Sequence, residues 1–476
     1  MNKRLRLAAI VTGALIVAAA CGAGTTGTPA GATGTPGATG TAAGSVTPSP
    51  TIQTLTCKSG TGSTPAGATP LEYKGTITFW NTMRDFEGAE VQKLVDAWCA
   101  AHPGITVKMD LVPFAGADVQ YATAAKAKTA PDLFRSDVGW VSGFADAGYL
   151  LDLTGKVNNI TDFLEAPLLT GTYQTKIYGA PSVTDALGLQ CNKQLLTQAG
   201  LSAAPTSWDQ LVEAGKKVTD LAAKKYGFYM RGDSYWVQPF TWGWGGTLFT
   251  ITPDGKVGQI NINSPESVAG WTYVKDKILG VVAPKTWDFV SDYDNMDAGF
   301  KAGTTMCILQ GPWQVADIVK GSAFSDKSNL VIAPVPEGLP GKTGSPVGGH
   351  DYVVYALVGQ DAAKQAAVLD LLNYIDSTES QVALAKSLGL LPTRKSAYEN
   401  ADVKADPLIS AWSAVLAKAT NRAGVPGAQN IYKPYSDNWQ LFVNDTSTDT
   451  AATAKKYLDV IANKWQTEVF QGQMAQ

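Results

Sequence analysis

Apolar and polar positions alternate along this chain with two periods. Ile77 and Phe79 alternate with Thr76 and Thr78, the period of a strand. Val91, Leu94, Val95 and Trp98 then recur at i, i+3, i+4 and i+7, one face of a helix. His102-Pro103-Gly104 stops that helix. Ile105, Val107, Met109 and Leu111 alternate with Thr106, Lys108 and Asp110, a second strand. The spacing continues with a helical stretch near 116–128, a short strand at 132–135 and a helix at 207–223. Strands at 304–309 and 350–358 and a helix at 361–376 follow. Strand and helix in alternation predict an α/β fold with mainly parallel sheets. About 400 residues exceed one comfortable core of this kind, so two lobes are expected.

The pattern fails before residue 73. Lys3, Arg4 and Arg6 precede an apolar run at 7–20, too short to span a membrane comfortably. Ala18, Ala19 and Ala20 then lead to Cys21, so residues 1–20 read as a secretory signal. Small residues ending in cysteine also resemble a bacterial lipobox, which would make Cys21 a lipid-modified first mature residue. The lipobox prefers Leu where Ala18 stands, and ordinary signal cleavage is the alternative. Of the 49 residues 22–70, 43 are Gly, Ala, Thr, Pro or Ser. Such a segment buries too little apolar surface to offset chain entropy. Residues 21–72 are therefore read as an anchor cysteine and a disordered tether.

Charge and composition narrow the function. With 38 Lys+Arg against 41 Asp+Glu, the net charge of −3 argues against a nucleic-acid partner. Two histidines and five cysteines give little material for a zinc site, and no cofactor or metal is expected. There is no HExxH, CxxC or GxSxG motif. The GKT at 341–343 lacks the first glycine of a phosphate loop, because Pro336 stands there, so it reads as a polar turn. Paired carboxylates for glycoside hydrolysis stay open, since no spacing singles out a pair.

Several segments, in order, resemble one family. They are Ile77-Thr78-Phe79-Trp80, Ala130-Pro131-Asp132-Leu133, Tyr178-Gly179-Ala180-Pro181 and Asn192-Lys193. Pro205-Thr206-Ser207-Trp208-Asp209, Phe300-Lys301-Ala302-Gly303, Gln310-Gly311-Pro312-Trp313 and Gly348-Gly349-His350 complete the set. Over about 73–476 the chain resembles the extracellular solute-binding proteins that feed ABC sugar importers. Arg135-Ser136-Asp137-Val138-Gly139-Trp140 and Gly321-Ser322-Ala323-Phe324 resemble the maltose/maltodextrin-binding lipoproteins of actinobacterial type. The resemblance implies two α/β lobes with a central cleft that closes on a sugar, without chemistry on it. It places lobe 1 at 73–184 and 349–404 and lobe 2 at 185–348 and 405–476. It also implies permease subunits as partners, a monomer, and a lipid anchor at the outer face of the bacterial cytoplasmic membrane.

A sugar offers apolar C–H faces and a rim of hydroxyls, so aromatic faces and polar edges complement it. By resemblance, Trp313 and Trp439 are stacking platforms, each with a core tryptophan as the alternative. Tyr235 is a stacker and Asp233 a hydroxyl acceptor, while Trp236 beside them fits less well. Asp185 matches an acid that binds hydroxyls, unless it serves a hinge salt bridge. Asp137 and Trp140 follow the strand at 132–135, at the carboxyl end where α/β clefts form. There the chain departs from the enterobacterial maltose-binding pattern, with Ser136 at a Trp position and Trp140 at an Arg position. Arg84, Asp85 and Glu87 lie between the first strand and helix, where Glu87 could instead cap the helix. His350 is either a ligand contact or a structural histidine. His102, Trp242 and Trp244 read as structural.

The resemblance puts Cys191 and Cys307 on strands of one sheet, where they could pair or stay free. Cys57 with Cys99 would staple the tether to the first helix. The function implied is an anchored receptor for maltodextrins. The rivals are a receptor for a xylo- or galacto-oligosaccharide or trehalose, and a surface glycosidase.

Overall fold

The computed structural model describes residues 52–57, 70–83, 85–253, 255–287, 291–422 and 424–475. The proposed signal, Cys21, most of the tether and Arg84 lie outside them. Ten strands carry the architecture: β1 (Gln53–Thr56), β2 (Gly75–Asn81), β3 (Ile105–Leu111), β4 (Leu133–Asp137), β5 (Ala180–Ala186), β6 (Gly188–Asn192), β7 (Tyr226–Tyr229), β8 (Thr305–Gln310), β9 (Leu330–Ala333) and β10 (Val347–Val354). Lobe 1 is built on a six-stranded sheet, ordered β1-β3-β2-β4-β10-β5. Lobe 2 is built on a four-stranded sheet, ordered β9-β6-β8-β7.

The sheets are mixed, which corrects the expectation of mainly parallel ones. β2 runs parallel to β3 and β4, and β8 runs parallel to β7, as strand–helix–strand units require. β10 is antiparallel to both β4 and β5 because it enters lobe 1 from the opposite lobe. β6 is likewise antiparallel to β8 and β9.

Each sheet has its own apolar core. Ile77, Phe79, Val91, Val95, Trp98 and Val107, all from the predicted opening unit, are fully or almost fully buried in lobe 1. The helix Asp85–Ala101 ends near Gly104, whose φ of 87° favours glycine. His102 stacks on Trp98 with ring centroids 4.2 Å apart, a structural role. In lobe 2, Trp208, Phe228, Trp271, Trp287 and Trp465 fill the core.

The chain passes between the cores three times. The first passage lies between Val183 and Ala186, and the second between Val335 and Tyr352. The third lies between Ser396, which still bonds Asp162 of lobe 1, and Val403, in the lobe 2 core.

The tether also ends earlier than expected. β1 pairs antiparallel with β3, from Gln53 opposite Leu111 to Thr56 opposite Lys108. Cys57, buried, is joined to Cys99 on the first helix. Cys191 and Cys307 sit opposite each other on β6 and β8 and are also joined. The bridges span 42 and 116 residues, so loop-closure entropy predicts about 4 and about 5 kcal/mol of stabilisation.

Candidate functional site

The carboxyl ends of β3 and β4, the start of β10 and the turn after β8 converge between the lobes. Asp137 ends β4, with His350 of β10 as its register partner. Asp185 of β5 lies opposite Gly348. A Cβ on Gly348 would overlap the Asp185 carboxylate, so only glycine leaves this acid its place. Asp185 is buried, and burial pushes its carboxyl up to about 7 against the pull of Arg422 and Arg135. The Tyr235 hydroxyl lies 3.4 Å from Asp185 Oδ1 and donates to the Pro346 carbonyl at 3.1 Å.

Arg422 ties this floor together. Its guanidinium lies 2.8 Å from Asp137, donates to the Val347 carbonyl at 2.9 Å and to the Tyr432 hydroxyl at 3.2 Å. Its Cζ also sits 5.8 Å from the Tyr235 ring centroid. Tyr432 packs against the lobe 2 core, so the pair with Asp137 of β4 spans the two lobes. Sequence reasoning missed Arg422, because a lone arginine in an irregular stretch carries no periodic signal.

Two aromatic groups flank the floor. On lobe 1, Phe114 stacks on Trp140 with centroids 5.1 Å apart, and Trp140 lies on Phe134 at 6.1 Å. Trp140 is therefore covered on both faces and only 8% exposed, so it backs the Phe114 ring. Phe114, 49% exposed, offers the open ring instead. Ser136 is fully buried and offers no contact. The His350 ring stands edge-on to Phe114 at 5.8 Å. Neither His350 ring nitrogen has a hydrogen-bond partner among the described residues, and burial holds the imidazole well below its usual pKa, so it is neutral.

On lobe 2, Trp313 follows β8 through Gly311-Pro312. Its six-membered ring lies where any Cβ on Gly311 would be, which makes that glycine obligatory. Its Nε1 donates to the Tyr293 hydroxyl at 2.9 Å, and Trp236 meets it edge-on at 6.4 Å. Trp313 is half-buried and packs against both lobe cores. Asp233 caps the helix Ser234–Trp242 through the Tyr235 N–H and pairs with Arg231 at 2.9 Å. Glu87 is buried and its charge acts on Arg135. Asp85 begins the first helix.

Trp439 is not part of this site. It is 0% exposed in the lobe 2 core, edge-on to Trp271 at 4.8 Å and stacked with Trp287 at 6.4 Å. Its helix, Tyr432–Asn444, turns that face inward, so no ring surface is left for a sugar.

Residues 93–411 match the description of the bacterial extracellular solute-binding proteins. The chain belongs to that family. Among relatives of this solute-binding protein, the maltotriose-binding protein of Pyrococcus abyssi is 25% identical, covering 82% of this chain and 83% of its own. The maltodextrin-binding protein of Bacillus subtilis is 26% identical, covering 64% of this chain and 71% of its own. Among solved structures, the GacH receptor of Streptomyces glaucescens, determined without ligand and with acarbose, is 30% identical with a TM-score of 0.74. It matches 83% of this chain and all of the receptor chain. The two-lobed fold of a sugar-binding protein is thus shared, and the candidate site lies between the two lobes.

Proposed function

We propose that this solute-binding protein is an extracellular receptor for maltose/maltodextrin-type oligosaccharides, anchored through Cys21 and delivering sugar to an ABC permease. One observation carries the reading. Two partly exposed rings from different lobes, Phe114 and Trp313, flank a floor of Asp137, Asp185, Arg422 and His350. Rings take the C–H faces of a pyranose, and the floor takes its hydroxyls. Each hydroxyl bond adds about 1 kcal/mol net, and more where the partner is charged.

Because the groups belong to both lobes, a ligand that touches all of them favours the closed arrangement. The site asks for binding and closure, and no bond of the sugar is broken. The maltotriose, maltodextrin and acarbose binders among the relatives support an α-glucan-like ligand. A second reading, another oligosaccharide, is favoured by Ser136: buried at the Trp position of the enterobacterial pattern, it withdraws one stacking surface.

Thermal-shift and calorimetric screening against a sugar panel tests the proposal. Stabilisation by maltotriose with the sugar recovered intact supports it. Preference for a xylo- or galacto-oligosaccharide moves it to the second reading, and hydrolysis of any glycan overturns it.

A further inference from the structure

One rung below the floor, inside lobe 1, lies a charge with no role in the site so far. Arg135 stands two residues before Asp137 on β4, so both side chains leave the same face of the sheet. Their register partners on β10 are Tyr352 and His350. The four residues form two rungs: Asp137 with His350 beside the cleft, and Arg135 with Tyr352 beneath them. Tyr352 closes the lower rung against the lobe 1 core, edge-on to Phe79 at 6.0 Å. Arg135 is only 4% exposed, and its Nε has no hydrogen-bond partner among the described residues. The acid one rung above it, Asp137, pairs with Arg422 instead. Glu87, Asp185 and Asp137 act on Arg135 through their charge. Burying an ion without a close counter-ion is expensive, so a guanidinium kept in this place calls for a reason.

Its position gives two effects on the rung above. First, Arg135 Nη1 donates to Thr82 Oγ1 at 3.2 Å, and that hydroxyl donates to the Arg135 carbonyl at 3.0 Å. The end of β4 is thereby clamped to the chain leaving β2. Second, its positive field reaches His350. Burial already disfavours a charged imidazole there, and Arg135 and Arg422 add to that. The acids around the ring pull the other way: Asp137 opposite on β4, Asp185 on β5 and Asp351 next in the chain. Arg135 therefore weighs on the balance between imidazole and imidazolium. The neutral ring carries one donor and one acceptor nitrogen, while the cation carries two donors. Both nitrogens of His350 are without a partner among the described residues, so the difference bears on whatever meets them.

We propose that Arg135 is a positioning residue of the candidate sugar site: from one rung below, it clamps the end of β4 and keeps His350 in the neutral form that both gives and takes hydrogen bonds with hydroxyls. It does this without touching the sugar. The inference rests on the oligosaccharide reading above and deepens it.

The test is an NMR titration of the imidazole signals, joined to calorimetry with maltotriose. The chain has only two histidines, and the signal lost in His350→Gln is that of His350. In the wild type His350 should be neutral at pH 7. Arg135→Gln should raise its titration midpoint by about one pH unit or more, and Arg135→Lys, which keeps the charge, should return it towards the wild type. Maltotriose affinity at pH 6 should fall about fivefold in Arg135→Gln and recover in Arg135→Lys. A wild-type His350 protonated at pH 7 overturns the inference without any variant. So does a midpoint that Arg135→Gln leaves in place, or one below pH 4 in both proteins, or an affinity that does not follow the midpoint. In each of these cases sugar binding by the wild type leaves the receptor reading standing. A wild type that binds no sugar of the panel overturns the receptor reading, and the role of Arg135 in binding falls with it.

Discussion

Trp313 and Trp439 stand in the same lobe and face opposite fates. Trp313 leaves a strand through Gly311-Pro312, where a glycine without a side chain lets the indole lie flat over the backbone. Its nitrogen is held by Tyr293, its edge meets Trp236, and it packs on both lobe cores. Trp439 sits mid-helix among Trp271, Trp287 and Phe442 and has no exposed surface. Its Nε1 has no hydrogen-bond partner among the described residues, as an indole kept for its volume allows. On the proposed reading, an aromatic is offered to a ligand where the backbone beside it is stripped of side chains and its polar edge is fixed. A regular helix in a crowded core turns the same residue into packing.

The comparison can be broken by mutation. Trp439→Ala should cost about 3–5 kcal/mol of stability, the usual loss for a large buried aromatic. Chemical denaturation measures it, and a loss under 1 kcal/mol would remove Trp439 from the core account. Arg422→Gln should follow at about 3 kcal/mol, because it leaves Asp137 buried without its cation. That loss should appear both in unfolding and in sugar affinity, whereas an effect on neither would make the lobe-spanning pair irrelevant.

Trp313→Ala should weaken maltotriose binding about tenfold, which is over 1 kcal/mol, with a smaller stability loss than Trp439→Ala. If the two variants exchange these phenotypes, the division drawn between them is wrong. Phe114→Ala should weaken binding several-fold, near 1 kcal/mol, with almost no cost in stability, since half of the ring is already exposed.

The smallest effect concerns pH. Burial lifts the Asp185 carboxyl from 3.8 to about 7, so the native state holds a proton that the unfolded chain has released. By linkage, stability contributed by this group is fully present below about pH 4 and is lost as pH rises towards about 7. Asp376, raised to about 7 by its own burial, has the same sign. Asp185→Asn should flatten part of the decline, read as the difference between the two stability–pH curves. A steeper decline in the variant contradicts the burial argument.

Much of the fold was legible because it rests on periodic burial. Ile77, Phe79, Val107 and Met109 alternate in the sequence and are fully buried in the sheet. Sheet direction was not legible, since it depends on how a distant strand such as β10 re-enters lobe 1. β1 was hidden by composition. Yet five of the six residues in 22–70 other than Gly, Ala, Thr, Pro and Ser fall within 52–58, and that cluster is a signal.

In the candidate site, Trp313, Asp185 and His350 are expected from motifs that also fix their backbone. Phe114 was missed because one aromatic in a short Pro-Phe-Ala-Gly loop has no period. Sequence names Trp140 and not Phe114, because it does not show which ring of a stacked pair lies outermost. From sequence both cysteine pairs were open to staying free, and the structure joins both.

The most direct test of the central claim is calorimetric titration of the purified protein with maltotriose, with product analysis of the same sample. The account predicts saturable binding at one site between the lobes, weakened about tenfold by Trp313→Ala, with all of the sugar recovered intact. Equal affinity in wild type and Trp313→Ala, or maltotriose cleaved during the titration, would contradict it.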